Sequence, residues 1–242
     1  MVHPPPLRAS AHALFLDFDG TLVAFCDDPR AVRIEPAALS RLAALQGELS
    51  GALGIVSGRQ IADLDRFLAP LAFAAAGVHG LERRMAPGGA TRRLAEASDL
   101  DDVRFAIRLR LAAFPGLHLE DKGTALVLHY RTAPELGAAA QLIMQDVTAG
   151  RADLSMMVGD GVVEVHPAGM DKGKAVADLL REPAFAGRVP IYAGDDVTDE
   201  FALAFVRQAG GISIKVGPAP TVAEFRLDDI AALHRWLGVA AA

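Results

Sequence analysis

The chain has 242 residues, of which 52% are hydrophobic, and a formal net charge of −6 at pH 7. A hydrophobic fraction of this size can bury a full core in one large domain or two small ones. The acidic balance argues against a nucleic-acid groove, which needs a basic stripe, but it is compatible with carboxylates that hold Mg²⁺.

The sequence predicts a cytoplasmic protein that binds no membrane. Three prolines, Pro4 to Pro6, interrupt the segment 1–11, so we do not interpret it as a signal peptide. No stretch reaches the ~20 apolar residues of a membrane span. Cys26 is the only cysteine, which fits a reducing compartment, and we interpret it as an ordinary residue rather than a reactive thiol. The sequence does not indicate an oligomeric state.

Short apolar runs predict the strands of a parallel sheet. They are too short for helices, and four are too uniformly apolar for half-exposed strands; the runs are residues 13–16, 52–56, 71–75, 189–193 and 211–216. Apolar residues at helical spacing fill the gaps, in stripes that contain Leu39, Leu42, Leu45 and Leu49; Ile61, Leu64, Phe67 and Leu68; Val176, Leu179 and Leu180; and Phe201 and Phe205. Strands that alternate with helices predict an α/β fold.

The middle of the chain has a different pattern, which predicts a separate α+β module. Its predicted elements are a helix at 98–114, strands at 117–121 and 125–130, a helix at 134–148, and strands at 154–158 and 162–165. We interpret Gly159-Asp160-Gly161 as the turn of the last strand pair, although it imitates an acidic motif. Residues 86–89 and 167–169 are plausible linkers, so we expect a core from 1–86 and 169–242 and an inserted domain at 87–168.

Two aspartates directly follow the first predicted strand. Asp17 and Asp19 are two residues apart, so their side chains point to the same side of an extended chain, and Gly20 allows a turn. Ligands of open α/β sheets bind at this edge, and adjacent carboxylates repel unless a cation lies beside them. Taken alone, the pair is more often two solvated aspartates at the end of a strand.

Other polar residues follow the neighbouring predicted strands. Ser57 comes after the second strand, and its hydroxyl could bind a phosphate oxygen, although serine is also a common helix cap. Asp195, Asp196 and Asp199 come after the strand at 189–193, where they also fit a charged first helical turn.

A lysine completes the set. Lys172 is at the start of a predicted helix, where a cation is unfavourable unless an anion lies near, and Lys174 competes for the same role. In combination, the clusters describe a Mg²⁺–phosphate site, with carboxylates for the metal and a hydroxyl and an ammonium for phosphoryl oxygens.

These motifs resemble those of the haloacid dehalogenase (HAD) superfamily of phosphohydrolases. The matching segments are Asp-Phe-Asp-Gly-Thr from Asp17, Ser-Gly-Arg from Ser57, Lys-Gly from Lys172 and Gly-Asp-Asp-Val-Thr-Asp-Glu from Gly194. The resemblance covers about residues 14–236. It implies a Rossmann-like core with a parallel sheet and helices on both faces, plus a smaller inserted α+β cap domain.

Further segments are similar to the trehalose-6-phosphate phosphatases. They are residues 76–82, 120–122, 129–131 and 163–167. This similarity implies a Mg²⁺-dependent phosphoric monoester hydrolase that converts trehalose 6-phosphate to trehalose and phosphate through an aspartyl-phosphate, the last step of trehalose biosynthesis.

The resemblance also implies a role for each matching residue. Asp17 is expected to be the nucleophile, Asp19 the general acid and base, and Ser57 and Lys172 the groups that hold phosphoryl oxygens. The implied Mg²⁺ ligands are Asp17, the Asp19 backbone carbonyl and Asp195, with Asp196 and Asp199 either behind them or as further ligands. The implied substrate-binding residues are Gly58, Arg59 and His79 in the core and Glu120, Lys122 and Glu164 in a cap that closes on the sugar.

Several alternatives stay open at this point. The substrate could be another sugar phosphate, such as sucrose phosphate or a phosphoglycerate glycoside, or the protein could be a phosphosugar mutase. A phosphate-binding regulatory module like a receiver domain is a third possibility, but a receiver needs no inserted domain. For His79, His129 and His166, structural or substrate-edge roles are expected, because the motif chemistry needs no histidine.

Overall fold

The computed structural model describes residues 3–26, 31–159 and 161–240. In chain order, the strands and α-helices of these ranges are β1 (His12–Leu16), α1 (Pro36–Glu48), β2 (Leu53–Val56), α2 (Ile61–Leu68), β3 (Ala74–Gly77), β4 (Glu82–Arg84), β5 (Arg92–Arg93), α3 (Asp101–Leu111), β6 (His118–Asp121), β7 (Leu126–His129), α4 (Gly137–Thr148), β8 (Leu154–Gly159), β9 (Val162–Pro167), α5 (Lys172–Leu179), β10 (Val189–Gly194), α6 (Glu200–Gln208), β11 (Ile212–Val216), β12 (Phe225–Leu227) and α7 (Ile230–Leu237).

The chain forms two compact units. One consists of Met1–Arg92 and Asp171–Ala242, and the other of Arg93–Met170. The boundaries expected from the sequence, after residues 86 and 168, lie a few residues before the observed boundaries, which follow Arg92 and Met170. None of the helices in the described part of the chain is both long enough and apolar enough to cross a membrane.

The first unit contains an eight-stranded sheet in the order β12-β11-β10-β1-β2-β3-β4-β5. The strands from β12 to β3 run parallel, and β4 pairs antiparallel with β3. The chain moves outward from β1 in one direction through β2 and β3, and in the other through β10, β11 and β12. The strand order therefore reverses beside β1, and ligands bind at the carboxyl ends of the strands at such a point.

The central strands form because their side chains are apolar on both faces. All five residues of β1 and all four of β2 are buried, as a strand covered by helices on both sides requires. Aromatic stacking adds to this core, with the rings of Phe15 and Phe185 5.1 Å apart between centroids. The predicted parallel α/β fold is thus confirmed, and the sequence did not indicate the antiparallel pairing of β4 with β3.

The unexpected strand β4 consists of three buried charged residues. The Glu82 carboxylate accepts the backbone N–H of Ile61 at 2.8 Å, and so caps the start of α2. Arg83 donates to the Gly80 and Ala175 carbonyls at 2.7 and 2.9 Å. Arg84 donates to both carboxylate oxygens of Asp65 at 2.6 Å. Each charged group has a hydrogen-bond partner, so three consecutive charged residues can be buried in the sheet.

The second unit is a four-stranded antiparallel sheet, in the order β6-β7-β9-β8, with helices α3 and α4. Its separate core includes Ile107 of α3, Met144 of α4, and Leu128 and Val163 of the sheet. An α+β cap was expected, and this unit has the expected composition of elements. β8 and β9 form the predicted hairpin pair. Asp160, in the middle of the segment that we interpreted as the turn, lies outside the described residues.

Some predicted elements differ in their limits. The strand expected at 71–75 is β3, which begins at Ala74, because α2 ends only at Leu68 and the chain turns through Pro70 first. The helices expected at 98–114 and 134–148 each begin with a 3₁₀ turn, and α3 ends at Leu111, before Pro115. β12 and α7 were not predicted.

Candidate active site

Asp17 lies at the carboxyl end of β1 and is almost completely buried. Its backbone N–H donates to the Ala193 carbonyl of β10 at 3.0 Å, which fixes the residue between the two central strands. Its Oδ1 accepts a hydrogen bond from Nζ of Lys172 at 2.8 Å. The fold therefore brings together two predicted site residues that are 155 positions apart in the chain.

The Lys172 ammonium is buried and lies between two carboxylates. It donates to Oδ1 of Asp17 and, at 2.7 Å, to Oδ1 of Asp199. An ammonium has three N–H donors, so these two bonds use two of them. The competing Lys174 has an exposed side chain whose Nζ lies 3.6 Å from Asp171 Oδ2, so of the two lysines Lys172 is the one at the carboxylate cluster.

Asp199 is fully buried and accepts four hydrogen bonds. Its Oδ1 accepts from Lys172 and, at 2.5 Å, from the Tyr192 hydroxyl. Its Oδ2 accepts the backbone N–H groups of Asp195 and Asp196, both at 2.9 Å. The carboxylate thus fixes both the lysine and the loop that follows β10. The Asp196 side chain accepts the N–H of Val197 at 2.7 Å, as the cap of the next short helical turn.

Asp195 is held in place by two residues of the first motif. Its Oδ1 accepts the hydroxyl of Thr21 at 2.9 Å. Gly20 has φ +81°, and a Cβ added there would lie 2.1 Å from Asp195 Oδ2. Glycine is therefore required both by the backbone conformation and by the approach of the carboxylate.

Burial and mutual repulsion shape the electrostatics of these acids. Burial, followed by the charge of Asp199, raises the pKa of Asp17 well above its usual range and raises that of Asp195 to about 6. Burial lowers the pKa of Lys172, but Asp17 and Asp199 outweigh that effect and raise it, so the lysine stays charged. The cluster therefore attracts positive charge.

The donor set fits a hard divalent cation. Asp17, Asp195 and Asp199 each offer one oxygen, and these oxygens lie within 4.8 Å of one another. Carboxylate oxygens are the ligands that such cations prefer. Because Asp199 already accepts four hydrogen bonds, close to the capacity of a carboxylate, Asp17 and Asp195 are the better candidates for direct ligands.

Asp19 is engaged with Arg59 rather than with the buried cluster. Its two carboxylate oxygens accept from Nε and Nη2 of Arg59, each at 2.6 Å. The guanidinium also lies 4.9 Å from the ring centroid of Phe67 and 5.7 Å from that of Phe18. In this conformation Arg59 fixes the orientation of the Asp19 carboxylate.

Ser57 and its neighbours line the carboxyl end of β2. Ser57 is buried, and its Oγ accepts the backbone N–H of Arg59 at 3.1 Å. Gly58 faces the His79 imidazole so closely that a Cβ there would lie 2.7 Å from two ring atoms. His79 has a left-handed backbone, with φ 51°, and its N–H donates to the Ser57 carbonyl at 3.1 Å. Three predicted substrate-binding residues, Gly58, Arg59 and His79, therefore surround Ser57.

The predicted cap residues meet on one face of the second unit's sheet. Val127 pairs with Glu120 on one side and with Glu164 on the other, so the two acids share a row. Nζ of Lys122 lies 3.3 Å from Glu164 Oε2, and His129 Nε2 lies 2.8 Å from Glu120 Oε2. Burial raises the pKa of Glu120, but the bond to His129 and the charge of Lys122 outweigh it, so the group is ionised.

Sequence reasoning missed two residues of the cluster. Thr21 was part of the quoted motif, but no role was assigned to its hydroxyl. Tyr192 was interpreted only as part of an apolar strand, and nothing in the sequence distinguishes it from a core aromatic residue. Of the other histidines, His166 Nδ1 lies 2.9 Å from the Pro167 carbonyl, and His129 is the partner of Glu120 described above.

Comparison with known proteins gives a consistent result. The model of a family described as trehalose-phosphatase matches residues 15–231. A trehalose-6-phosphate phosphatase of Escherichia coli is 36% identical over 232 residues, which cover 96% of this chain and 87% of the relative. A probable trehalose-phosphate phosphatase of Sinorhizobium fredii is 39% identical over 231 residues, which cover 95% and 86%.

Solved structures support the fold. The C-terminal domain of trehalose-6-phosphate phosphatase from Candida albicans superposes with a TM-score of 0.83 at 23% identity, over 99% of this chain and 100% of that one. A phosphatase of the haloalkanoate (HAD) enzyme superfamily from Bacteroides thetaiotaomicron gives a TM-score of 0.60 at 18% identity, over 94% and 95%. The solved structures thus confirm the fold, and the family model and the two relatives confirm the family resemblance inferred from the motifs.

Proposed function

The chain belongs to the trehalose-phosphatase family, and from that premise we propose that it hydrolyses trehalose 6-phosphate to trehalose and phosphate through a phosphoryl group carried on Asp17. One observation supports the chemistry above all. A buried carboxylate at the end of the central strand contacts a buried ammonium at 2.8 Å, with Asp195 beside it. These are the parts that phosphoryl transfer to a carboxylate requires.

The first step transfers the phosphoryl group to the protein. An Asp17 carboxylate oxygen attacks phosphorus, and the bond between phosphorus and the sugar oxygen breaks. Asp19, once it has left Arg59 and taken up a proton, gives that proton to the leaving oxygen. The third N–H of Lys172 and the hydroxyl of Ser57 donate to the phosphoryl oxygens as their charge develops.

The second step returns the protein to its starting state. Asp19, now ionised, takes a proton from water while the water oxygen attacks phosphorus. The bond between phosphorus and the Asp17 oxygen breaks, and phosphate leaves. A mutase would instead return the phosphoryl group to a sugar, so the two reactions differ in the acceptor of this step.

We propose that the acidic cluster binds the cofactor and that this cofactor is Mg²⁺. Asp17, Asp195 and the backbone carbonyl of Asp19 would hold it, while Asp199 and Asp196 orient the loop behind them. When bound, the cation supplies positive charge that offsets the charge on the phosphoryl oxygens. In this proposal Gly58, Arg59 and His79 contact the substrate near its phosphate.

The sugar is recognised, in this proposal, by the second unit. Glu120, Lys122 and Glu164 share one face of its sheet, and ionised carboxylates accept hydrogen bonds from sugar hydroxyls. We place the reaction in the cytoplasm, a reducing compartment that suits the exposed thiol of Cys26.

A panel of phosphorylated sugars tests the proposal. Phosphate release is measured with trehalose 6-phosphate, sucrose 6-phosphate, glucose 6-phosphate and a phosphoglycerate glycoside, each with Mg²⁺ and with excess chelator. We expect the highest kcat/KM with trehalose 6-phosphate and no release with chelator. A preference for another sugar would overturn the substrate, and isomer formation without phosphate would replace hydrolysis by mutase activity.

A further inference from the structure

Tyr192 places a hydroxyl inside the acidic cluster, although the mechanism above does not use it. The residue lies on β10, is fully buried and is the largest fully buried side chain of the described residues. Its hydroxyl donates to Asp199 Oδ1 at 2.5 Å. Phenylalanine would fill nearly the same space, so core packing alone does not explain the hydroxyl.

The hydroxyl shares its acceptor with the site's lysine. Asp199 Oδ1 accepts from both Tyr192 and Lys172, while Oδ2 is held by two backbone N–H groups. The carboxylate can therefore neither rotate nor turn toward the lysine without loss of a hydrogen bond. The Lys172 ammonium stays between Asp199 at 2.7 Å and Asp17 at 2.8 Å.

We propose that Tyr192 is a positioning residue for phosphoryl transfer, which acts through Asp199 to hold Lys172 beside Asp17; this inference rests on the proposed function. The hydroxyl bond takes up part of the negative charge of Asp199. Without that bond, Lys172 is the sole donor to Oδ1, so the ammonium is drawn toward Asp199 and away from Asp17. The donor meant for the phosphoryl group is then misplaced in the transition state.

The substitution Tyr192→Phe removes only the hydroxyl. With p-nitrophenyl phosphate we expect kcat to fall about tenfold with little change in KM, because the lost contact matters most as charge develops. The affinity for vanadate in the presence of Mg²⁺, measured as a thermal shift, should fall by a similar factor. The affinity for Mg²⁺ alone should not fall, because Tyr192 does not touch the proposed ligands Asp17 and Asp195, and an ammonium farther from Asp17 competes less with the cation.

The matched control is Tyr130→Phe, which removes the hydroxyl of the chain's other tyrosine, in the second unit. It should leave kcat on p-nitrophenyl phosphate and vanadate affinity unchanged. A loss in Tyr192→Phe that merely follows the folded fraction, or a kcat equal to that of the wild type, would overturn the inference.

A double-mutant cycle separates action through the lysine from a general structural role. In a Lys172→Met background, Tyr192→Phe should weaken vanadate binding no further, because the lysine through which it acts is absent. The inference would be contradicted if the two substitutions together weakened vanadate binding by the sum of their separate effects, expressed as free energies. If wild-type protein released phosphate through Asp17 while Tyr192→Phe behaved normally, only this inference would fall; if wild-type protein released none, the proposed function would fall.

Discussion

The Lys172 ammonium lies 2.8 Å from Asp17, so the start of α5 is joined to the end of β1 by a buried ion pair. Lysine is unfavourable at the first turn of a helix, and the two carboxylates that it contacts explain its position. The helix itself is capped by Asp171, which accepts the N–H of Lys174 at 2.8 Å. Cap and ion pair together direct one lysine inward and leave the other on the surface.

A first prediction concerns stability and the cation. Three close carboxylates repel one another more than the Lys172 ammonium, which contacts two of them, can offset, so Mg²⁺ should raise the melting temperature of wild-type protein. The free energy of unfolding should rise by about 2.7 kcal/mol when free Mg²⁺ is about 100 times its dissociation constant. Asp195→Ala should lose most of this gain together with turnover. The measurement is a thermal melt with Mg²⁺ and with chelator, and an equal Mg²⁺ shift in the variant would contradict the assignment.

The pH dependence of cation binding follows from Asp195. In the cation-free protein, burial and Asp199 raise its pKa to about 6, so the carboxyl holds a proton below that pH. A cation must displace this proton. Mg²⁺ affinity should therefore fall as the pH drops through about 6, by up to about tenfold per pH unit for each proton displaced, and the raised pKa of Asp17, the other proposed ligand, adds to this dependence. Calorimetric titration checks this, and equal affinity at about pH 5 and about pH 8 would contradict it.

Gly20 gives a third prediction. In Gly20→Ala the left-handed backbone costs about 1–2 kcal/mol, and the new Cβ meets Asp195 Oδ2 at 2.1 Å. Stability, Mg²⁺ affinity and kcat should all fall. The matched control is Gly187→Ala, where φ is +76° but nothing lies within 4 Å of the added carbon. Gly187→Ala should lose a similar amount of stability and keep the wild-type kcat. A wild-type kcat in Gly20→Ala as well would show that Asp195 tolerates displacement.

The second unit's cluster gives a fourth prediction. Glu120→Ala, Lys122→Ala and Glu164→Ala should each lower kcat/KM for trehalose 6-phosphate at least about tenfold, because sugar contacts position the phosphoryl group. Turnover of p-nitrophenyl phosphate, which has no sugar, should change much less. The control Glu135→Ala removes an exposed carboxylate of the same unit, outside the sheet. Equal losses on both substrates would mean that the residues support the fold rather than the sugar.

The central strands and their polar ends were predictable from the sequence. β1, β2 and β10 are apolar on both faces, and such strands are recognisable because nothing else short is so uniformly hydrophobic. Parallel strands of one sheet end at the same edge, so Asp17, Ser57 and Asp195 were expected at that edge, and the observed order β10-β1-β2 brings them together. The roles of these residues remain predictions, whereas the fold and the family are confirmed.

Other features could not be predicted, because they depend on pairing across the chain. The charges of β4 are buried only because partners such as Asp65 and the Ala175 carbonyl lie next to them in the fold. The contact between Asp19 and Arg59 joins residues 40 positions apart, and composition gives no sign of it. The role of Tyr192 depends on a single hydroxyl, which apolar periodicity cannot distinguish from a core ring.

The most direct test of the central claim is phosphate release by Asp17→Asn in the presence of Mg²⁺. The amide keeps the shape of the side chain but lacks the charged oxygen that attacks phosphorus. With circular dichroism to show that the variant is folded, we expect kcat to fall at least about a thousandfold on both trehalose 6-phosphate and p-nitrophenyl phosphate. A folded variant with a rate near that of the wild type would show that the phosphoryl group is not carried on Asp17.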